Sequence, residues 1–66
     1  MKIIVNGEAR EIAKAANVAE LIHELELPAL AILVEHNGLA LRREEWPERR
    51  LSDGDTIELV RIVAGG

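Results

Sequence analysis

Apolar and polar positions alternate with a period of two at both ends of the chain and recur at helical spacing between them, a pattern that predicts strands flanking one helix. At the start, Lys2-Ile3-Ile4-Val5 and the stretch from Glu8 to Ala13 flank Asn6-Gly7, the strongest short signal for a two-residue type I′ hairpin turn. That turn pairs Val5 with Glu8 and Ile3 with Arg10. Met1, Ile3, Val5, Arg10 and Ile12 then share one face. Arg10 is awkward in that company and is expected near the sheet edge, its stem against apolar neighbours and its head in water.

Asn17 opens a helix, with Glu20 three residues on as the reciprocal partner of a capping-box-like start. Val18, Leu21, Ile22 and Leu25 follow at i, i+3, i+4 and i+7 as one apolar stripe, and Pro28 is expected to stop the helix soon after Leu25. A single amphipathic helix must bury its stripe against a sheet. His23 falls off the stripe and reads as a solvated surface residue. Ala31 to His36 is an apolar run too short for a normal helix, bounded by Asn37-Gly38, and reads as a buried strand with Leu39 to Leu41 as its short antiparallel return.

The mixed charges of Arg42 to Arg50 predict a solvated loop, and Trp46 within it reads as a lid on the core. Asp53-Gly54-Asp55 marks a tight turn into the last and longest strand, Thr56 to Val63. Its alternation puts Ile57 and Leu59 on one face and Glu58, Val60 and Ile62 on the other. If the helix covers the first face, Val60 and Ile62 look outward together with Ile4 on a neighbouring strand. Apolar side chains gathered on an open sheet face are a candidate interaction surface.

Composition narrows the function. The 66 residues make one domain near the lower size limit for folding without staples, and with no Cys there is no disulfide to help. Two isolated His give no metal-ligand cluster. The single aromatic residue, Trp46, offers no stacking surface for single-stranded nucleic acid, and a formal charge of −4 argues against a phosphate-binding face. No apolar run approaches the roughly 20 residues of a membrane span, and the start is strand-like in place of a signal peptide, so the chain reads most simply as cytoplasmic.

The remaining chemistry lies at the end, where the last strand runs into Ala64, Gly65 and Gly66. Two glycines leave no side chains beside the terminal carboxylate, so a partner's narrow channel can take it up end-on. The carboxylate is an anion at neutral pH and resists nucleophiles until it is activated, typically by attacking ATP to form an acyl-adenylate. The chain holds no phosphate-cradling glycine loop followed by Lys and Ser/Thr, so the ATP site would belong to another protein. A plain frayed terminus is the alternative reading of the same residues.

The order hairpin, helix, strand, short strand, loop, long strand resembles the ubiquitin-like β-grasp sulfur carriers. Arg43-Glu44-Glu45-Trp46, Leu51-Ser52-Asp53-Gly54-Asp55 and the terminal Ala64-Gly65-Gly66 make it most similar to the thiamine-biosynthesis family ThiS, over the whole chain. One departure is Arg42, where members commonly carry proline, a change that would loosen the loop.

The resemblance implies an α+β fold, a mixed sheet of four to five strands with one helix packed across one face. Residues 1–66 would form a single domain with a flexible tail at 64–66. A ubiquitin-activating-type enzyme would adenylate Gly66 with ATP. Sulfur from a donor such as a cysteine desulfurase would then give a thiocarboxylate, and thiazole synthase would take that sulfur into the thiazole ring of thiamine. Ala64 and Gly65 would be the recognised tail, and Ile4, Val60, Ile62 and Val63 would contact the partners. The chain would be a co-substrate with no cofactor or metal of its own. The alternatives are a molybdopterin-synthase small subunit, a carrier for another sulfur pathway, a modifier joined to lysine, and a β-grasp binding module with an incidental Gly-Gly.

Overall fold

The computed structural model describes residues 1–62; Val63, Ala64, Gly65 and Gly66 lie outside the described residues. In chain order the elements are β1 (Lys2–Val5), β2 (Glu8–Glu11), α1 (Val18–Glu24), a 3-10 turn (Ala29–Ala31), β3 (Ile32–His36), β4 (Leu39–Leu41), a 3-10 helix (Arg43–Glu48) and β5 (Thr56–Arg61). The strands form one five-stranded mixed sheet in the order β2-β1-β5-β3-β4. β5 occupies its centre, parallel to β1 and antiparallel to β3.

The first hairpin has the expected register, Val5 opposite Glu8 and Ile3 opposite Arg10, and Asn6 and Gly7 take φ of 49° and 83° as a type I′ turn demands. Ile3, Val5 and Ile12 are buried, whereas Arg10 is exposed on the outermost strand. Asn6 also ties the hairpin to the last strand: its N–H donates to the Ile57 carbonyl at 2.9 Å and its Oδ1 accepts from Leu59 N–H at 2.7 Å. Asn37-Gly38 turns β3 into β4 in the same way, with φ of 50° and 85°.

Asn17 caps α1, its Oδ1 accepting from Glu20 N–H at 2.8 Å. The return bond differs from the expected capping box. Glu20 Oε1 accepts from the N–H of Ala16, one residue before the cap, at 2.8 Å. The stripe Val18, Leu21 and Ile22 is buried, and Leu25 packs against it partly covered. His23 is exposed, as its place off the stripe predicts.

The helix stops before Pro28 has any say. Glu26 turns left-handed at φ 57°, its N–H donating to His23 O at 3.0 Å while Leu27 N–H donates to Ile22 O at 3.1 Å. This pair of bonds is a Schellman cap, with glutamate in the position that glycine usually fills. Ahead of the helix, the backbone N–H groups of Ala13, Lys14 and Ala15 converge on the Glu24 carboxylate at 2.8, 3.0 and 2.9 Å. These three bonds, Ala13's first, hold the Glu24 carboxyl below its ordinary value near 4.5.

β3 corrects the sequence reading of a buried strand. Ile32, Val34 and His36 are buried, but Leu33 and Glu35 alternate with them into solvent, because α1 covers one face of the sheet and, among the described residues, no element covers the other. The segment from 42 to 50 is likewise more ordered than a solvated loop: Arg43–Glu48 is 3-10 helical, and Trp46 is buried as the core's lid. Among the described residues its indole N–H has no hydrogen-bond partner. Arg42 does not loosen the segment. Its backbone is extended at φ −81°, near what proline would impose, and its N–H donates to Glu45 Oε1 at 2.7 Å. The helix start clamps the far side, with Val18 N–H donating to Arg49 O and Leu51 N–H to Ala16 O, both at 3.0 Å.

Among the described residues no helix is long and apolar enough to cross a membrane, and no group of three or more His, Asp or Glu is placed to hold a metal ion.

Candidate functional site

The approach to the tail is set by how β5 ends. On its β1 side the strand pairs through Thr56 and Ile57, and the Asn6 side chain then takes the Leu59 N–H. On its β3 side pairing continues through Leu33 with Val60 and Ile32 with Arg61, and Ile62 N–H still donates to Ala31 O at 2.7 Å. The strand is thus carried to the last described residue by β3 and by Ala31 of the turn just before it.

Alternation then decides what the strand presents. Ile57 is fully buried under α1 and Leu59 half-buried, while Val60 and Ile62 point to the uncovered face with 57% and 47% of their surface exposed. Leu33, directly opposite Val60, is 55% exposed on the same face. Leu33, Val60 and Ile62 therefore form an apolar strip leading towards the tail. Sequence reasoning did not include Leu33, although its alternation with Ile32 and Val34 carried the signal.

Ile4 shares the open face but not this strip. It is half-buried and pairs with Thr56, four residues before Val60, which at about 3.3 Å per residue is roughly 13 Å along the strand. Glu35 and Glu58 lie directly opposite each other between the two, so the strip gives way to a negative patch. Val63, Ala64, Gly65 and Gly66, which carry the rest of the expected site, lie outside the described residues.

At the other end of β5 the structure assembles a buried polar chain from residues scattered between positions 36 and 55. His36 is 5% exposed. Its Nδ1 accepts from Arg49 Nε–H at 3.2 Å, so the ring proton sits on Nε2 and donates to Asp55 Oδ2 at 2.7 Å. Asp55 also accepts from Ser52 N–H at 2.8 Å and from the Asn37 amide at 3.2 Å. Burial works against the ionised form of Asp55, but the hydrogen bonds from His36, Ser52 and Asn37 outweigh it and hold the carboxyl below its ordinary value near 3.8. The chain joins β3, the 3-10 segment and the 52–55 turn. It lies roughly 20 Å of strand away from Ile62.

Comparison with known proteins places this geometry among sulfur carriers. The model of the ThiS family matches residues 3–66. The sulfur carrier protein ThiS of Escherichia coli is 32% identical over 66 residues, the full length of both chains. A thiazole synthase of Paramagnetospirillum magneticum is 30% identical over all 66 residues, and the chain spans only 20% of that larger protein. Among solved structures, the crystal structure of the thiamine biosynthesis protein ThiS from Geobacter metallireducens superposes over all of both chains with a TM-score of 0.86 and 35% identity.

Proposed function

The chain belongs to the ThiS family of thiamine-biosynthesis sulfur carriers, and from that premise we propose that Gly66 is its reactive residue and that the strip Leu33, Val60 and Ile62 is the surface its partners grip. A sulfur carrier is a co-substrate and not an enzyme; its partners act in thiazole synthesis. The observation that carries the finer reading is an uncovered apolar strip on the strand that runs into Ala64-Gly65-Gly66.

The chemistry has two steps. A Gly66 carboxylate oxygen attacks the α-phosphorus of ATP in an adenylating partner of the ubiquitin-activating type, forming an acyl-adenylate and releasing pyrophosphate. A sulfur nucleophile, supplied from a donor such as a cysteine desulfurase, then attacks the acyl carbon. AMP leaves; sulfide gives the thiocarboxylate directly, whereas a desulfurase persulfide gives an acyl disulfide that a second thiol cleaves, releasing the thiocarboxylate and a disulfide. Thiazole synthase receives the sulfur, and the cytoplasm is the compartment of the exchange. That a thiazole synthase contains a segment 30% identical to this whole chain supports the last partner.

The scaffold contributes delivery. Gly65 and Gly66 present no side chain to a narrow channel, and Ala64 presents a methyl group. Val63 extends the alternation of β5 in sequence. The strip supplies apolar area for the partner to bury, while the free chain leaves it in water.

The test is intact-mass analysis after incubation with ATP, the adenylating enzyme of the same organism and sulfide. The expected product carries one sulfur in place of one oxygen, localised to Gly66. The same chain lacking Gly66 should melt at the wild-type temperature and gain no sulfur. Absence of adenylate and of sulfur from the intact chain would defeat the assignment.

A further inference from the structure

Arg10 has no role in the fold just described. It lies on the helix side of β2 at the outer edge of the sheet, and there it faces a groove of about 340 Å³ whose far wall is Arg61. The floor is apolar, with Leu25 and Leu27 from the end of the helix and Ile32 and Leu59 from the sheet. Among the described residues the ion pairs are Met1 with Glu11, His36 with Asp55, and Arg42 with Glu44 and Glu45; neither groove arginine takes part in one. Glu8 shares the side of β2 on which Arg10 lies, but it neither lines the groove nor pairs with the guanidinium.

We propose that this groove receives an acidic segment of the adenylating partner, one carboxylate on Arg10 and another on Arg61, while the apolar stems between them cover Leu25, Leu27, Ile32 and Leu59. A chain of net charge −4 repels an acidic segment over most of its surface, so two cations that make no ion pair among the described residues and flank one apolar depression mark where such a segment is attracted. Arg61 immediately precedes Ile62, and its side chain lies on the side of β5 opposite the strip. An enzyme that closes on the end of β5 from both sides meets Leu33, Val60 and Ile62 on one side and this groove on the other. The two arginines thereby become specificity determinants for the partner, resting on the reading of Gly66 as the adenylated end.

The experiment is steady-state adenylation with the adenylating enzyme of the same organism, varying carrier concentration and salt. The Arg10→Glu/Arg61→Glu double variant should show a KM for the carrier raised at least tenfold, with kcat retained. The Arg10→Gln/Arg61→Gln variant should fall between it and wild type. For wild type kcat/KM should drop as salt rises from 50 to about 300 mM, and for the double glutamate variant that drop should disappear or reverse, since exposed charges are screened at that ionic strength. Both variants should melt within about 4 °C of wild type, because exposed substitutions shift stability little. A double glutamate variant with wild-type KM and salt dependence overturns the groove while leaving Gly66 as the reactive end. A wild-type chain that the enzyme never adenylates overturns the functional reading and the groove with it.

Discussion

The two faces of the sheet can be separated by making one small change on each. Val34 and Val60 sit on the neighbouring strands β3 and β5, Val34 paired with Leu59 and Val60 with Leu33, and they are 2% and 57% exposed. Threonine keeps the shape and the strand preference of valine and adds only a hydroxyl. At Val34 that hydroxyl enters the core without a provided partner and should cost about 1–3 kcal/mol. For a 66-residue domain, whose whole stability is of the order of 3–10 kcal/mol, this is a large fraction and lowers the melting temperature by roughly 4–24 °C. At Val60 the hydroxyl remains in water, and the loss should stay under about 0.5 kcal/mol, or less than about 4 °C. In the complex the order reverses. If a partner dries Val60, the hydroxyl is stranded there for about 1–3 kcal/mol, a roughly 5- to 150-fold weaker association.

Aspartate at position 60 would perturb binding more, but it would add a third acid beside Glu35 and Glu58 and so mix repulsion with burial. The assays are thermal unfolding by circular dichroism for both variants and, for Val60→Thr, the KM of the carrier in adenylation or its Kd for the enzyme. A Val60→Thr protein that melts as low as Val34→Thr would mean that the strip is covered in the free chain. Wild-type melting together with wild-type partner binding would remove the strip from the interface.

Three further outcomes follow from the fold. Glu26→Gly should raise stability by about 0.5–1 kcal/mol, read as a higher urea midpoint, because glutamate holds the left-handed cap at φ 57° where glycine is unstrained; an unchanged or lower midpoint refutes the cap assignment. Trp46→Phe should cost less than about 1 kcal/mol, since it also removes a buried N–H that has no partner, whereas Trp46→Ala should cost about 3–5 kcal/mol by opening a cavity; equal losses in chemical unfolding would contradict this. Glu24 and Asp55 have folded-state pKa values below their ordinary 4.5 and 3.8, so their contribution is complete above about pH 5 and is lost as pH falls through the folded values. Glu24→Gln and Asp55→Asn should each flatten that acid limb in urea titrations from pH 6 to about pH 2, and a limb of wild-type steepness in both would show that these carboxyls are not the ones responsible.

What the sequence determined by itself is what short-range chemistry controls. Asn6-Gly7 and Asn37-Gly38 impose their turns because their backbone preferences are local, and a two-residue turn leaves one pairing register, so Ile3 opposite Arg10 followed without any knowledge of the rest. Strict alternation in β5 was enough to separate Ile57 from Val60 once one helix had to cover one face. The family signature in the 43–46 and 51–55 stretches and at 64–66 was legible for the same reason, being contiguous. Only the tertiary structure decided how distant segments satisfy one another. It seats Glu24 on the amides of residues 13–15, links Arg49 through His36 to Asp55, converts the 42–50 loop into a clamped 3-10 helix, and moves the apolar strip from Ile4 to Leu33 by fixing which residues β5 meets on either side. Those outcomes depend on bonds between groups at least 9 residues apart, the longest joining Leu51 to Ala16, and on sheet order. A local pattern can say that a strand has two faces, but it cannot say which neighbour, charge or void each face will meet.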